Sequence, residues 1–170
     1  SVYNSMTSRL LVDKIEGKTT ASTVQMPEGS VIQYKFQTSA TEVSNGANSF
    51  VATSVAISLT PKFANSIIQI HWDGHLAKGV SAGGGFGWRL FKDDTALHDV
   101  GQDSVDKPWE VYKDETRIIS RFSRTISHVA GDTNARTYTC RFRGYLNMTV
   151  VANSSSGSGS TEEIMTVMEI

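Results

Sequence analysis

Residues 50–60 read FVATSVAISLT, and their alternation decides the fold class. Val51, Thr53, Val55, Ile57 and Leu59 fall on one side of an extended chain, and Ala52, Ser54, Ala56 and Ser58 on the other. A period of two is what a half-buried strand needs, and no helix places those residues on one stripe. Pro61 ends the run, because proline has no N–H to give to a ladder.

The same rhythm continues in both directions. Upstream, residues 30–38 (SVIQYKFQT) set Ile32, Tyr34 and Phe36 against Gln33, Lys35 and Gln37, the pattern of a half-buried strand. Downstream, residues 67–76 (IIQIHWDGHL) send Ile68, Ile70 and Trp72 to one side, with Gly74 read as an interruption. Residues 86–92 alternate Phe86, Trp88 and Leu90 with Gly87, Arg89 and Phe91, and Asp93-Asp94-Thr95 reads as a hairpin turn into residues 96–100. Residues 101–110 are polar and form a long surface loop anchored by Trp109. In residues 116–129, Ile118, Phe122 and Ile126 fit either period, since they lie four apart, and Ile119 with the Ser, Arg and Thr content favours strand. Residues 136–146 place Tyr138, Cys140 and Phe142 opposite Arg141 and Arg143. After a short β-prone stretch at 148–152 and the flexible loop 153–160 (NSSSGSGS), the chain ends with Ile164, Thr166, Met168 and Ile170 in alternation.

About nine or ten strands at regular spacing, with turn signals between them, predict an all-β fold: an antiparallel β-sandwich, jelly-roll-like, in preference to a small barrel. Residues 1–29 read as an N-terminal arm and linker, with a strand near 9–16 (RLLVDKIE), and residues 30–170 as the sandwich domain. The arm's strand has no local partner, so it either adds to the edge of its own domain's sheet or pairs with another chain, and Leu10, Leu11, Val12 and Ile15 are the candidates for pairing with a neighbouring subunit. At 170 residues one domain is expected.

Composition excludes several classes. A net charge of -1 and a pI near 6.4 argue against a chain whose main task is gripping nucleic acid. No apolar run approaches the roughly 20 residues of a spanning helix, so no membrane insertion is expected, and the opening residues lack a secretion-signal pattern. One cysteine permits neither an intrachain disulfide nor a thiolate metal cage. No cofactor is expected: residues 16–20 (EGKTT) contain the GKT of a phosphate loop, but the earlier glycine is replaced by Val12.

No catalytic constellation emerges, and the chain reads as a non-enzyme. Cys140 lies on an apolar face without a neighbouring histidine in sequence, and Glu162-Glu163 and Asp93-Asp94 read as turn and edge charges. A jelly-roll hydrolase would need two facing carboxylates, such as Asp73 with Glu110 or Asp114. His71, Asp73 and His75 share one face of a strand and are weak metal-ligand candidates, read otherwise as a polar outer face beside Trp72. Trp109, with Asp103 and Lys107, is the candidate ligand contact on its loop. Arg117, Arg121, Arg124, Arg136, Arg141 and Arg143, interleaved with Phe122, Tyr138, Phe142 and Tyr145, read as a solvated face or subunit contact, with a stacking surface for a glycan or a nucleic-acid single strand as the alternative.

Four stretches carry a resemblance: residues 10–15 (LLVDKI), 27–35 (PEGSVIQYK), 50–61 with 65–70 (FVATSVAISLTP, NSIIQI) and 164–170 (IMTVMEI). Their order resembles small virion structural proteins and tail-fibre C-terminal domains of bacteriophages, especially phages of aquatic bacteria. The resemblance implies a homotrimer on the virion, bound to other capsid or tail proteins, that serves as a fibre or adhesin and contacts host surface carbohydrate. Capsid decoration and a stand-alone carbohydrate-binding module are the alternatives.

Overall fold

The alternating runs settle into two antiparallel sheets. The computed structural model describes residues 29–78, 85–97, 110–112, 118–145, 148–153 and 162–170. Val31–Ile170 form one compact unit and Ser1–Ser30 another, and every strand below belongs to the first. The arm's Leu10, Leu11, Val12 and Ile15 lie outside the described residues.

Eleven strands are present among those residues: β1 (Gln33–Ser39), β2 (Val43–Asn45), β3 (Val51–Leu59), β4 (Ile67–Lys78), β5 (Gly85–Lys92), β6 (Thr95–Ala96), β7 (Glu110–Tyr112), β8 (Ile118–Val129), β9 (Arg136–Gly144), β10 (Val150–Ala152) and β11 (Glu163–Glu169). Six form a first sheet, in the order β1-β11-β4-β10-β2 with β8 on the other side of β4. Five form a second, in the order β3-β9-β5-β6 with β7 also on β5.

The short strands are pieces of longer ones. β11 pairs with residues 68–73 of β4 and β10 with residues 76–78, both antiparallel and along the same edge, so the two are collinear. β1 lies on β11 and β2 on β10, which makes them collinear as well. β6 and β7 likewise share the free edge of β5. With these joined, the sandwich has eight strands, ordered 1-8-3-6 in one sheet and 2-7-4-5 in the other. That is the topology of a jelly roll, and the expected sandwich is thereby observed.

The core lies between the sheets. Ile68, Ile70, Trp72 and Leu76 of β4 and Met165 and Val167 of β11 face Val55, Ile57 and Leu59 of β3, Phe86, Trp88 and Leu90 of β5, and Tyr138, Cys140 and Phe142 of β9. Each such fully buried aliphatic or aromatic side chain stabilises the fold by about 1.5–3 kcal/mol relative to exposure. Aromatics fill the centre: Trp72 and Trp88 lie 4.9 Å apart, and Phe122 packs against Trp88 at 5.6 Å and edge-on to Phe86 at 5.7 Å.

Gly74 does not interrupt β4. The strand pairs with β8 without a break from Ile67↔Val129 to Lys78↔Ile118, and Gly74 sits opposite Phe122. A Cβ at position 74 would overlap the Trp72 indole. Glycine is needed there because the ring two residues earlier lies across its backbone.

Two strands carry the expected period with the opposite face inward. In β1, Tyr34 and Phe36 are exposed, while Gln33 and Gln37 are half-buried. In β11, Glu163, Met165, Val167 and Glu169 are the buried set, and Ile164, Thr166, Met168 and Ile170 lie on the other face. The reason is the edge of the second sheet. β3 pairs only with β9, which leaves its other edge without a strand among the described residues. Side chains from the first sheet satisfy that edge at alternate residues: Gln33 Nε2 donates to Thr60 O (2.7 Å), Lys35 Nζ to Ser58 O (2.6 Å), Ala56 N to Gln37 Oε1 (3.2 Å) and Ser54 N to Glu163 Oε1 (2.8 Å). Polar groups of β1 therefore turn toward β3, whose edge N–H and C=O groups have no ladder partner among the described residues.

Candidate functional site

Glu163, read from the sequence as a turn or edge charge, is completely buried. Its Oε1 accepts from Ser54 N (2.8 Å), Ser54 Oγ (2.5 Å) and Asn153 Nδ2 (3.0 Å), and its Oε2 from Trp72 Nε1 (2.8 Å). One carboxylate thus ties β3, β4 and the turn after β10 together. Asn153 holds the left-handed conformation of that turn, with φ 56°, and its Nδ2 also reaches Thr41 O at 3.1 Å.

Glu169, at the far end of β11, plays the same part for the β3–β4 turn. It accepts from Lys62 N (2.7 Å), Phe63 N (3.1 Å) and Gln33 Nε2. Burial pushes its pKa up, but the hydrogen bonds from Gln33, Ser66, Phe63 and Lys62 together outweigh burial and hold it below the usual value. These carboxylates are structural clamps. Their period in the sequence was visible, but no sequence signal distinguishes Glu-Met-Val-Glu inward from Ile-Thr-Met-Ile inward.

Reversal of β1 and β11 leaves apolar side chains on the outside of the first sheet. Ile67 and Val129 are cross-strand partners, 47% and 61% exposed, and Ile170 exchanges both backbone hydrogen bonds with Ile67. In the adjoining rows Tyr34 lies opposite Met168 and Phe36 opposite Thr166. Tyr34 and Phe36, 55% and 66% exposed, stack on each other at 6.2 Å. Single exposed apolar residues are ordinary, whereas a contiguous set marks an interaction surface.

Farther along the same face stand the weak metal-ligand candidates. His71 Nδ1 is 2.9 Å from Thr125 Oγ1, Asp73 is paired with Arg121, and His75 is buried. Burial, followed by the Arg121 charge, pushes the His75 pKa down. His71 and Asp73 are thus engaged separately and His75 is buried, and among the described residues no group of three or more His, Cys, Asp or Glu side chains is placed to hold a metal ion.

The outer face of the second sheet carries Arg89, Arg141 and Arg143, whereas Arg121 and Arg124 belong to β8 in the first sheet and Arg117 lies outside the described residues. The alternation that the sequence presents as one basic stretch is split by the sheet: Tyr138 and Phe142 face the core, and Arg141 and Arg143 face outward. Arg136 is buried and clamps the β8–β9 turn through Ala130 O and Asp132. Outside, Arg141 lies over Phe91 (4.5 Å to the ring centroid), Arg143 over Phe50 and Tyr145 (4.8 Å each) and Arg89 over Phe50 (5.0 Å). Sequence reasoning missed Arg89, Phe50 and Phe91, because they come from segments distant in the chain.

The nominated ligand contacts Asp103, Lys107 and Trp109 lie outside the described residues; the described chain leaves β6 and returns at β7 along one edge of β5. Cys140 is buried, and burial raises its pKa well above the usual thiol value, as in an inert core thiol. No helix among the described residues is long and apolar enough to cross a membrane.

No family model and no curated protein matches the chain. Among solved structures, it is similar to a chain in the structure of infectious bursal disease virus strain Gx, at 13% identity over 94% of this chain and 44% of that one, with a TM-score of 0.25. It is also similar to a chain of strain Gt, at 14% identity over 93% and 44%, with a TM-score of 0.19. The chain spans less than half the length of either.

Proposed function

We propose that the chain is a structural subunit of a virus particle: a homotrimeric jelly roll of the fibre or adhesin type, held to other virion proteins and exposed to host surface carbohydrate. The observation that carries this reading is the apolar set on the outer face of the first sheet. Ile67, Val129, Tyr34 and Phe36 are each about half exposed or more and adjacent through Ile170 and Met168. A chain that leaves such a surface uncovered gains by packing it against another chain. The resemblance to phage virion proteins supplies the number three and the setting, and the arm at residues 1–29 is the proposed tie to the particle through Leu10, Leu11, Val12 and Ile15. No catalytic role is proposed.

Cryo-electron microscopy of the purified particle tests the reading. Density for the jelly roll in threefold copies on capsid or tail is the expected result, and a particle that lacks the chain overturns it. A stand-alone carbohydrate-binding module is the second reading, favoured by the arginine and aromatic face of the second sheet; it requires a chain that works alone and off the particle.

A further inference from the structure

We infer that the chain cross-links itself: the Ser54 hydroxyl and the Asn153 carboxamide condense to an ester with loss of ammonia, and Glu163 carries the proton between them. The three side chains meet at one carboxylate oxygen. Glu163 Oε1 lies 2.5 Å from Ser54 Oγ and 3.0 Å from Asn153 Nδ2, and Ser54 Oγ and Asn153 Nδ2 are 3.1 Å apart. A nucleophile, a leaving group and a base within hydrogen-bond reach of both are therefore assembled at one point. Asn153 Nδ2 also lies 3.1 Å from Thr41 O, so three acceptors surround two amide hydrogens. The carboxylate and the backbone carbonyl are the stronger acceptors and take them. Ser54, whose own hydrogen goes to Glu163, is left with a lone pair against the amide. Glu163 is fully buried and Asn153 is 2% exposed, which keeps water from the bond that forms.

Two irregularities of the backbone bring the pair together. β3 departs from its register with β9 between Ala52 and Ala56, and Ser54 stands in the middle of that bulge. Asn153 holds a left-handed φ of 56°. Bulges and left-handed non-glycine residues aim side chains at a cost in energy, and both gather at reacting sites. A third cost lies on the amide itself: Asn153 Oδ1 is buried, and no donor among the described residues reaches it. An ester carbonyl is a weaker acceptor than an amide carbonyl, so the same buried oxygen costs less after the reaction. The step balances within the chain. Ser54 Oγ bonds to Asn153 Cγ as Glu163 Oε1 takes the hydroxyl proton. The Cγ–Nδ2 bond then breaks with its electron pair going to nitrogen, which takes that proton from Glu163 and leaves as ammonia. Glu163 ends as it began, and neither oxidant nor cofactor is consumed. The reaction runs once per chain and ties β3 to the turn after β10, 99 positions apart, in a protein whose single cysteine permits no intrachain disulfide.

Intact-mass spectrometry of the full chain, followed by peptic digestion in acid and tandem mass spectrometry, tests this. The parent is expected about 17 Da below the mass of its sequence, the weight of one ammonia, with two peptides joined at residues 54 and 153. Mild alkali on the unfolded chain is expected to open the ester with water and leave a mass about 1 Da above that of the sequence. Ser54→Ala and Glu163→Gln are each expected at full sequence mass, whereas Ser58→Ala, at an exposed position of the same strand, keeps the loss. The mass of the parent and the position of its link decide the matter even where a variant fails to fold. A parent at full sequence mass overturns the inference. So does an ammonia loss confined to one peptide around Asn153, as in succinimide formation, a link that survives alkali, or a loss that persists in Ser54→Ala or Glu163→Gln.

Discussion

Replacing Glu163 by glutamine keeps the shape of the side chain and removes one of two acceptor oxygens from a fully buried site. The carboxylate receives Ser54 N–H, Ser54 Oγ–H and an Asn153 amide hydrogen on one oxygen and the Trp72 indole N–H on the other. If the remaining oxygen takes the Oε1 place, the new NH2 group faces the indole N–H; if it takes the Oε2 place, the NH2 faces Ser54 and Asn153. In either orientation at least one buried donor loses its partner, at about 1–3 kcal/mol, and the surviving bonds lose the charge that strengthened them. Relief of the carboxylate's own desolvation offsets a part. The net expectation is a loss of about 2–3 kcal/mol, which for a domain of this size lowers Tm by about 4–12 °C. Urea unfolding at one fixed protomer concentration measures it, with an unchanged slope required for a two-state comparison. Glu162→Gln, one residue away and exposed, is the control and is expected within about 0.5 kcal/mol of the parent. A Glu163→Gln variant as stable as the parent would refute the reading of this carboxylate as the clamp between β3, β4 and the turn after β10.

Gly74→Ala places a methyl group into the Trp72 indole and is expected to destabilise the fold by about 1–3 kcal/mol with a red shift of tryptophan emission, whereas unchanged emission and stability would mean that the ring does not lie across residue 74. Acid lability is expected in two windows. The Glu169 pKa is lowered in the fold, so its contribution is complete above the unfolded value of about 4.3 and is lost as pH falls through the folded value; Glu169→Gln should flatten that limb of the urea-midpoint profile. The His75 pKa is lowered too, so stability declines as pH drops below about 6.5, and His75→Gln should flatten the profile between about pH 7 and pH 5; superimposable curves there would contradict the burial. Cys140 is expected to resist a thiol-specific disulfide reagent in the native state and to react fully only in denaturant, and rapid native labelling would show that β9 is not packed as described.

The class of the fold was legible because strand period survives any tertiary context, and β3, β4, β5 and β9 bury the apolar face that their sequences offer. What the sequence could not reveal is which neighbour each face meets. Gln33, Lys35 and Gln37 look like the wet side of β1 until the unpaired edge of β3 is placed beside them. Glu163 looks like a turn or edge charge until the donors that it satisfies are brought within reach from Ser54 and Trp72, about a hundred positions away. Gly74 reads as a break because its cause is a ring two residues back. The arginine face was half legible: Arg141 and Arg143 share a strand, but Arg89, Phe50 and Phe91 join them only through the pairing of β5 and β3 with β9. The jelly-roll order itself came from the joining of short strands that no local pattern foretells.

If the apolar outer face of the first sheet is the subunit interface proposed above, the oligomer depends on its exposed side chains. Sedimentation equilibrium of the full chain, compared with a Tyr34→Ser/Phe36→Ser double variant, tests it most directly. Both side chains are exposed, so the variant is expected to fold and to sediment at the monomer mass of 18.5 kDa, while the parent sediments at three times that value. A parent chain at 18.5 kDa, or a double variant that remains trimeric, would contradict the claim.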